Sequence, residues 1–527
     1  MKQFLSPDAG ANFKPSPDGI RVIRPVGEPQ NNPDDPVVTI KFREVGLLKQ
    51  DGVLEPSDNP AVQTLALKIG EVGGQNGLFL LTPLPGVLIS DQALGRYYKR
   101  QPIYFWDEDH TGLVPDVRYL PLDLPEAQRP RQILDWLTNG PRQDWLAGVV
   151  EPLPQGTKPI GNVPAINNQT LQISLSGQAL PDKDAAAALQ RLQQQLRWSL
   201  RPLPNTLALN VEHQDYTFSG DDYLTANPAY QPEEAQRFAL YNKQIVRLAQ
   251  SYRSGDPVPI IRSQDNRNIR SAALATAGSR SYAALVVEEP GGRLALKVGA
   301  TGAGDTVTLT RKRLSGTIGR PVWATSPIGA DPGTYGLIPI NGALYSFPAD
   351  GFRTRERGLT VVDWPGGAPG GITSVAVAPD ARRVALIAGG ALYLAGLDTG
   401  DGGLKLVSPH VVRAELESLT TVTWSTEDSL ALAGLKPGSQ RYAIMEVTID
   451  GAAQNFRQDD FSSTAVTDLT SRPANPARSD DSGAVAYMVG GSAYDDQRTG
   501  KITVKDLAQT VTDPPPNIVP TAPFFLN

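Results

Sequence analysis

The chain contains no cysteine among its 527 residues and only three histidines, His110, His213 and His410. Without cysteine it can form no disulfide, no thiolate metal site and no cysteine nucleophile. The three histidines lie in three separate regions of the sequence, so a Ser-His-Asp triad or a multi-histidine metal site has too few candidate residues. We therefore predict a protein that is not an enzyme, with no catalytic residue, no cofactor and no metal.

Long runs of basic or of apolar residues are also missing. The formal net charge is −6, and no cluster of Lys or Arg forms a basic stripe, which makes nucleic acid an unlikely class of partner. No apolar run approaches the roughly 18 residues that a membrane span needs. Residues 1–6 lack the apolar core of a signal peptide. The printed chain is therefore expected to be soluble.

What the sequence does contain is glycine, proline and short alternating apolar segments. Fifty Gly and 46 Pro, with 40% hydrophobic and 20% charged residues, are typical of a folded, turn-rich, mainly β chain. Its length favours about three domains. We place a strand-rich N-terminal domain at residues 1–100, a central module at 101–213 and a third domain at 214–527. The first domain opens abruptly on loops, and we expect its beginning to be missing.

The central module alternates strands and helices and is predicted to be an α+β unit. Strands are expected at 103–106 and 113–120, followed by a helix at 130–137 that Asn139-Gly140-Pro141 ends. A longer helix is predicted within 182–200, where apolar residues recur at helical spacing on one face.

The third domain carries a repeat of roughly 40 to 50 residues, the length of a β-propeller blade. Similar opening strands begin at Ile269, Ile318, Ile372, Leu419 and Val466, at intervals of 49, 54, 47 and 47 residues. A partial copy at 237–248 lacks its opening strand, and the chain ends in an apolar tail at 522–527. We predict a β-propeller, with six blades favoured over five or seven, in which the tail completes the first blade and closes the ring.

Two features of the central module could serve binding. The acidic loop 107–110 could hold a cation, but it joins two predicted strands and is more simply a solvated loop. Most aromatics of the module fall inside predicted elements and are expected in the core. Trp145 follows Pro141 in a loop and is the aromatic most expected to be exposed. Together with Arg142 it is our candidate protein-contact site.

The central module also resembles a known family. Residues 113–118 (Leu-Val-Pro-Asp-Val-Arg), 139–141 (Asn-Gly-Pro), 153–157 (Leu-Pro-Gln-Gly-Thr) and the Gln-rich helix 193–200 resemble the GerMN domain of sporulation and germination proteins. Tyr104-Phe-Trp-Asp107 just before this pattern, a strand-rich unit ahead and a propeller behind resemble the actinobacterial lipoprotein LpqB family. The likeness covers nearly the whole chain and is most specific over 102–200.

The resemblance implies an N-terminal domain, a GerMN domain and a β-propeller, and a parent chain anchored by a lipid-modified Cys on the outer face of the cytoplasmic membrane. This sequence has neither that Cys nor a signal peptide, so we expect it to be a piece of such a parent. The family implies a non-catalytic accessory lipoprotein that binds and modulates the extracytoplasmic domain of a two-component sensor histidine kinase. The alternative is an envelope sensor that binds a peptidoglycan fragment or another small wall-derived ligand. A propeller-based hydrolase is the third possibility and lacks the necessary residue clusters.

Overall fold

The computed structural model of the protein describes residues 4–526 except 33–34, 60, 75, 85, 162–168, 182, 203–205, 232–235, 250–257, 259–260, 303–307, 326–333, 353–357, 401–402 and 497–499. The chain divides into two compact units. The first comprises Met1–Pro102, Val117–Arg129 and Asp450–Ala453, and the second comprises Ile103–Asp116, Pro130–Ile449 and Gln454–Asn527.

The first unit is built on a seven-stranded sheet with the order β6-β5-β3-β1-β7, in which β2 and β4 also pair with β3. Its strands are β1 (Ile20–Pro25), β2 (Gln30–Asn32), β3 (Asp35–Leu48), β4 (Leu54–Pro56), β5 (Gln63–Glu71), β6 (Leu78–Leu80) and β7 (Leu88–Ser90). The long strand β3 pairs with four neighbours and is therefore the spine of the sheet.

Two short helices accompany this sheet, α1 (Pro7–Asn12) and α2 (Asp91–Tyr97). Each begins at a serine whose hydroxyl accepts a backbone N–H of the first turn, Ser6 from Ala9 and Ser90 from Ala93. These bonds satisfy N–H groups that have no partner inside the helix.

The core of the first unit lies over strands β1, β3 and β4, where Val22, Leu48, Leu54 and Leu94 are buried together with Tyr119. The Tyr119 hydroxyl donates to Asp450 Oδ2 at 2.7 Å. The buried Tyr119 hydroxyl therefore has the hydrogen-bond partner that buried polar groups ordinarily need.

The central module contains two three-stranded sheets, of order β10-β8-β9 and β11-β12-β13, and two helices. Strands β11 and β12 are parallel, and β12 and β13 are antiparallel. The elements are β8 (Tyr98–Asp107), β9 (Leu113–Pro121), α3 (Arg129–Thr138), β10 (Val150–Glu151), β11 (Thr170–Leu175), α4 (Ala185–Ser199), β12 (Thr206–Val211) and β13 (Gln214–Phe218).

Helix α4 (Ala185–Ser199) follows the predicted one-sided burial only in part: its first residue is exposed, whereas its last five residues are all buried, polar side chains included. Ala188, Leu192, Leu196 and Trp198 are buried. Trp198 packs between Tyr104 and Tyr223, at ring-centroid distances of 5.5 and 5.9 Å, and donates its indole N–H to the Tyr223 carbonyl oxygen. This aromatic cluster joins β8 to α4 and is the centre of the module's core.

The remaining strands that the structure describes in the second unit form six sheets, five of four strands and one of three. The first sheet is β14 (Arg237–Tyr241), β15 (Gln244–Arg247) and β36 (Thr521–Phe525); the second is β16 (Ile269–Ala277), β17 (Arg280–Glu289), β18 (Arg293–Gly302) and β19 (Thr310–Leu314); the third is β20 (Val322–Ala324), β21 (Tyr335–Ile340), β22 (Ala343–Pro348) and β23 (Thr360–Val361). The fourth is β24 (Ile372–Val377), β25 (Arg383–Ala388), β26 (Ala391–Asp398) and β27 (Lys405–Val412); the fifth is β28 (Glu417–Trp424), β29 (Ser429–Leu435), β30 (Tyr442–Thr448) and β31 (Gln454–Gln458); the sixth is β32 (Val466–Arg472), β33 (Ala484–Val489), β34 (Ser492–Asp495) and β35 (Gly500–Lys501).

Successive sheets touch one another through their first strands and close into a ring. Trp323 of the third sheet and Trp424 of the fifth each donate an indole N–H to the first strand of the preceding sheet, at Ala273 and Ala376. Thr420 of the fifth sheet donates to the Val466 carbonyl oxygen of the sixth at 2.8 Å. The predicted mainly β architecture with a C-terminal β-propeller is confirmed.

The C-terminal strand links the two ends of the ring. Strand β36 pairs antiparallel with β14, and Phe524 stacks on Phe238 at a centroid distance of 5.4 Å. Thr470 of the sixth sheet donates to the Pro523 carbonyl oxygen, and Leu526 forms a bridge to Leu274 of the second sheet. The first sheet therefore takes its innermost strand from the far end of the sequence.

Candidate functional site

The central module meets the propeller at turns that occupy equivalent positions in three successive sheets. These turns join the first strand to the second and cover residues 378–382, 425–428 and 473–483. Because equivalent turns of successive sheets lie on one face of a ring, the three turns present neighbouring groups. We call this contact region the joint; all of its residues lie in the second compact unit.

The fourth sheet contributes Arg382, whose guanidinium reaches the acidic loop of the module. Arg382 Nε donates to Asp107 Oδ2 at 2.9 Å, and Nη2 lies 2.5 Å from Asp109 Oδ2. Asp107 is 1% exposed and also accepts from the Thr111 backbone N–H and hydroxyl. Burial lowers the pKa of Arg382, but the two carboxylates outweigh it and raise the pKa above its ordinary value. The pair is a charge-assisted contact, the strong class of hydrogen bond.

The interpretation of 107–110 as a solvated loop is thus wrong for Asp107. Its carboxylate is buried because Arg382, 275 residues away in sequence, supplies the compensating charge. His110, at the end of the loop, contacts the Glu151 carboxylate. In the part of the chain that the structure describes, no group of three or more His, Cys, Asp or Glu could hold a metal ion.

The fifth sheet contributes Glu427, whose side chain is buried in the joint. Tyr104 Oη donates to Glu427 Oε1 at 2.6 Å, and Asn227 Nδ2 donates to Oε2 at 3.1 Å. Both donors are neutral. Burial raises the pKa of Glu427 to about 7, opposed by the Tyr104 hydrogen bond and reinforced by the charge of Asp428. A pKa near 7 means that the Glu427 carboxyl is expected to change its protonation state around neutral pH.

Arg383 fixes the turn that carries Glu427. Its Nη2 donates to the Glu427 backbone carbonyl at 2.6 Å, its Nε donates to Asp380 at 2.7 Å, and its side chain is fully buried. The guanidinium lies 4.8 Å from the Trp424 ring centroid and 5.7 Å from that of Trp145. Arg383 thereby connects two propeller sheets with the module by hydrogen bonds and cation–π contacts.

The sixth sheet completes the joint. Arg201 donates to the Ala477 carbonyl oxygen at 3.0 Å, and Asn475 donates to the Gln231 carbonyl oxygen at 2.7 Å. Both acceptors are backbone carbonyl oxygens, so this contact depends on the course of the accepting backbone segments more than on their side chains.

The exposure predicted for Trp145 is wrong. The side chain is 3% exposed, because the 3₁₀ turn Asp144–Leu146 packs against strands β26 and β27. Glycine at 396 permits this approach, since a Cβ there would overlap the Trp145 carbonyl oxygen. Arg142 is exposed and its backbone N–H donates to Asp116. A role of Arg142 and Trp145 in partner contact stays a prediction.

The joint residues Tyr104, Arg382, Arg383 and Glu427 were not recognised from the sequence. One signal was available: a doubled arginine directly after a Pro-Asp turn is unusual at the start of a strand whose other residues are all apolar. Charge in such a strand needs a specific partner. The identity of that partner required the tertiary structure.

Two family models match the chain in the order of its domains. The Germane model, described as sporulation and spore germination, matches residues 102–216, and the model described as lipoprotein LpqB beta-propeller domain matches residues 244–498. The likeness to the LpqB lipoprotein family is confirmed. The lipoprotein LpqB of Rhodococcus jostii is 26% identical over 480 residues, which cover 86% of this chain and 76% of that protein.

Other LpqB relatives align over similar lengths. The lipoprotein LpqB of Rhodococcus opacus is also 26% identical over 86% of this chain, and that of Mycolicibacterium smegmatis is 24% identical over 85% of this chain and 77% of its own length. Among solved structures, a chain of a nidogen/laminin complex aligns with 56% of this chain and 99% of its own at a TM-score of 0.32 and 9% identity, too low to support an argument.

No helix in the described ranges is both long and apolar enough to cross a membrane.

Proposed function

We propose that the chain is the extracytoplasmic part of a non-catalytic accessory lipoprotein, held on the outer face of the cell membrane by a lipid anchor of its parent. The support is the chain's likeness, over most of its length, to proteins named lipoprotein LpqB. The test is metabolic labelling of the parent with a fatty acid, followed by membrane fractionation. Recovery of the unlabelled parent from the soluble fraction contradicts this localisation.

We further propose that it acts by binding the extracytoplasmic domain of a two-component sensor histidine kinase and modulating its signal. The structural support for this proposal is the joint between the central module and the propeller. Three propeller turns hold the central module by buried or half-buried hydrogen bonds and an ion pair, so module and propeller offer a partner one preorganised surface. Preorganisation favours binding because little conformational freedom remains to be lost.

The experiment measures the affinity of the purified chain for candidate kinase ectodomains by calorimetry and the association rate by surface plasmon resonance. Saturable binding to one of them is expected. Arg142→Glu, at an exposed position of the module, is expected to weaken binding mainly through a slower association rate. Arg96→Glu, at an exposed position of helix α2, is the matched charge reversal and is expected to leave binding unchanged. Failure of every ectodomain to bind the unmodified chain contradicts the proposal.

A further inference from the structure

A cavity of about 550 Å³ runs along the first strands of the propeller sheets. It is lined by strands of the second to sixth sheets and by Phe525 of the C-terminal strand. Sites for small ligands in proteins have volumes of roughly 300 to 1,000 Å³. The channel of the ring is therefore large enough for a ligand of one or two sugar rings.

Hydroxyl groups dominate the polar lining of this channel. Ser374 Oγ lies 3.4 Å from Thr421 Oγ1, and Thr423 Oγ1 lies 2.7 Å from Ser471 Oγ, each pair linking adjacent sheets. The Ser471 hydroxyl also donates to the Trp424 carbonyl oxygen, and Ser374 Oγ accepts a backbone N–H of the fifth sheet. Because a hydroxyl donates one hydrogen bond and accepts two, the capacity that these groups retain is mainly that of acceptors. They suit a ligand rich in hydrogen-bond donors, such as hydroxyl groups.

The charged lining consists of one internal ion pair and one arginine at the exposed start of a strand. Arg320 Nη1 donates to Asp468 Oδ1 at 3.0 Å, and the remaining charged lining residue is Arg270. Arg320 precedes the third sheet and Asp468 lies in the sixth, so the pair spans the ring. A bound anion would face Asp468 and a bound cation would face Arg320. A neutral polyol can donate to Asp468 and accept from Arg320 while the pair stays intact.

We propose that the channel binds an uncharged, polyhydroxylated ligand, a mono- or disaccharide. Among the residues that the structure describes, the lining includes no histidine and only one carboxylate. This suits binding without hydrolysis, since glycoside cleavage ordinarily uses two carboxyl groups. The site does not rest on kinase binding, and each can fail without the other.

The test uses three probes that share one ring and differ in charge: glucose, glucosamine and glucuronate, with maltose as the two-ring probe. Binding to the full chain is measured by ligand-observed NMR and calorimetry. Glucose or maltose is expected to bind at least ten-fold more tightly than the two charged sugars. Asp468→Asn is expected to reduce the discrimination against glucuronate. Tighter binding of either charged probe overturns the ligand class, and no binding of any probe overturns the site.

Variants locate the binding. Thr421→Val keeps the side-chain shape and removes one channel hydroxyl, and Ser374→Ala removes its neighbour; each is expected to weaken saccharide binding several-fold. Thr217→Val, at an exposed position of the central module, is the matched control and leaves binding unchanged. Circular dichroism checks that each variant is folded. If folded Thr421→Val and Ser374→Ala bind the saccharide as the unmodified chain does, the channel is not its site.

Discussion

The Tyr104 hydroxyl donates a 2.6 Å hydrogen bond to the carboxyl group of Glu427, from a strand of the central module to a turn of the propeller 323 residues later. Both side chains are buried. Burial raises the folded-state pKa of Glu427 from its ordinary 4.5 to about 7.

The first prediction concerns pH. Because its folded pKa lies above its unfolded pKa, Glu427 contributes stability that is complete below about pH 4.5 and is lost as the pH rises through about 7. A rise of this size corresponds to roughly 3 kcal/mol in the free energy of unfolding. Glu427→Gln is expected to remove this part of the pH dependence. Urea unfolding at pH 5 and pH 8 measures the free energy of unfolding of both proteins. The prediction is contradicted if that free energy changes equally between the two pH values in the unmodified protein and in Glu427→Gln.

The second prediction concerns the other end of this bond. Tyr104→Phe removes a donor from a buried carboxyl and is expected to cost about 1 to 3 kcal/mol, more at pH 8 than at pH 5 because the ionised form needs the donor more. Tyr216→Phe removes a hydroxyl that bonds Gln214 in an exposed setting and is expected to change stability little. An equal loss of unfolding free energy in Tyr104→Phe and Tyr216→Phe would falsify the special role of the buried Tyr104–Glu427 hydrogen bond.

The third prediction is that Arg382 and Asp107 are coupled. Arg382→Met leaves the Asp107 carboxylate buried without its charged partner, which is expected to cost on the order of 3 to 5 kcal/mol. In the Arg382→Met background, Asp107→Asn is expected to lower the free energy of unfolding by less than it does in the unmodified protein. A double-mutant cycle by chemical denaturation gives the coupling energy; additive effects of the two substitutions are the contrary result.

The fourth prediction concerns Gly396. A Cβ at this position collides with the Trp145 backbone, and Gly396→Ala is expected to destabilise the protein by about 1 to 3 kcal/mol. Gly95→Ala is the matched control, because Gly95 lies in helix α2 with open space around its Cα; alanine there is expected to stabilise by roughly 0.5 to 1 kcal/mol. Thermal unfolding distinguishes the two. If Gly396→Ala leaves the stability unchanged, the prediction is wrong and the turn 144–146 can move away from the added Cβ at no cost in free energy.

Local patterns in the sequence predicted the elements well, because strands and helices follow from apolar spacing. The opening strands at Ile269, Ile372 and Val466 begin where the repeat placed them. The burial of Trp145 and of Asp107 could not be predicted in this way. Each depends on propeller residues more than 200 positions later, Gly396 for Trp145 and Arg382 for Asp107. Contacts between domains leave no periodic pattern in either segment.

The pairing of β36 with β14 sets the order in which the propeller can be completed. Thr521 bonds the Leu240 carbonyl oxygen, 281 residues earlier in the chain. During synthesis from the N-terminus, the five four-stranded sheets emerge while the first sheet still lacks its inner strand β36. Its exposed edge is open to pairing with another chain. Until β36 pairs with β14, that edge favours association between copies of the nascent protein.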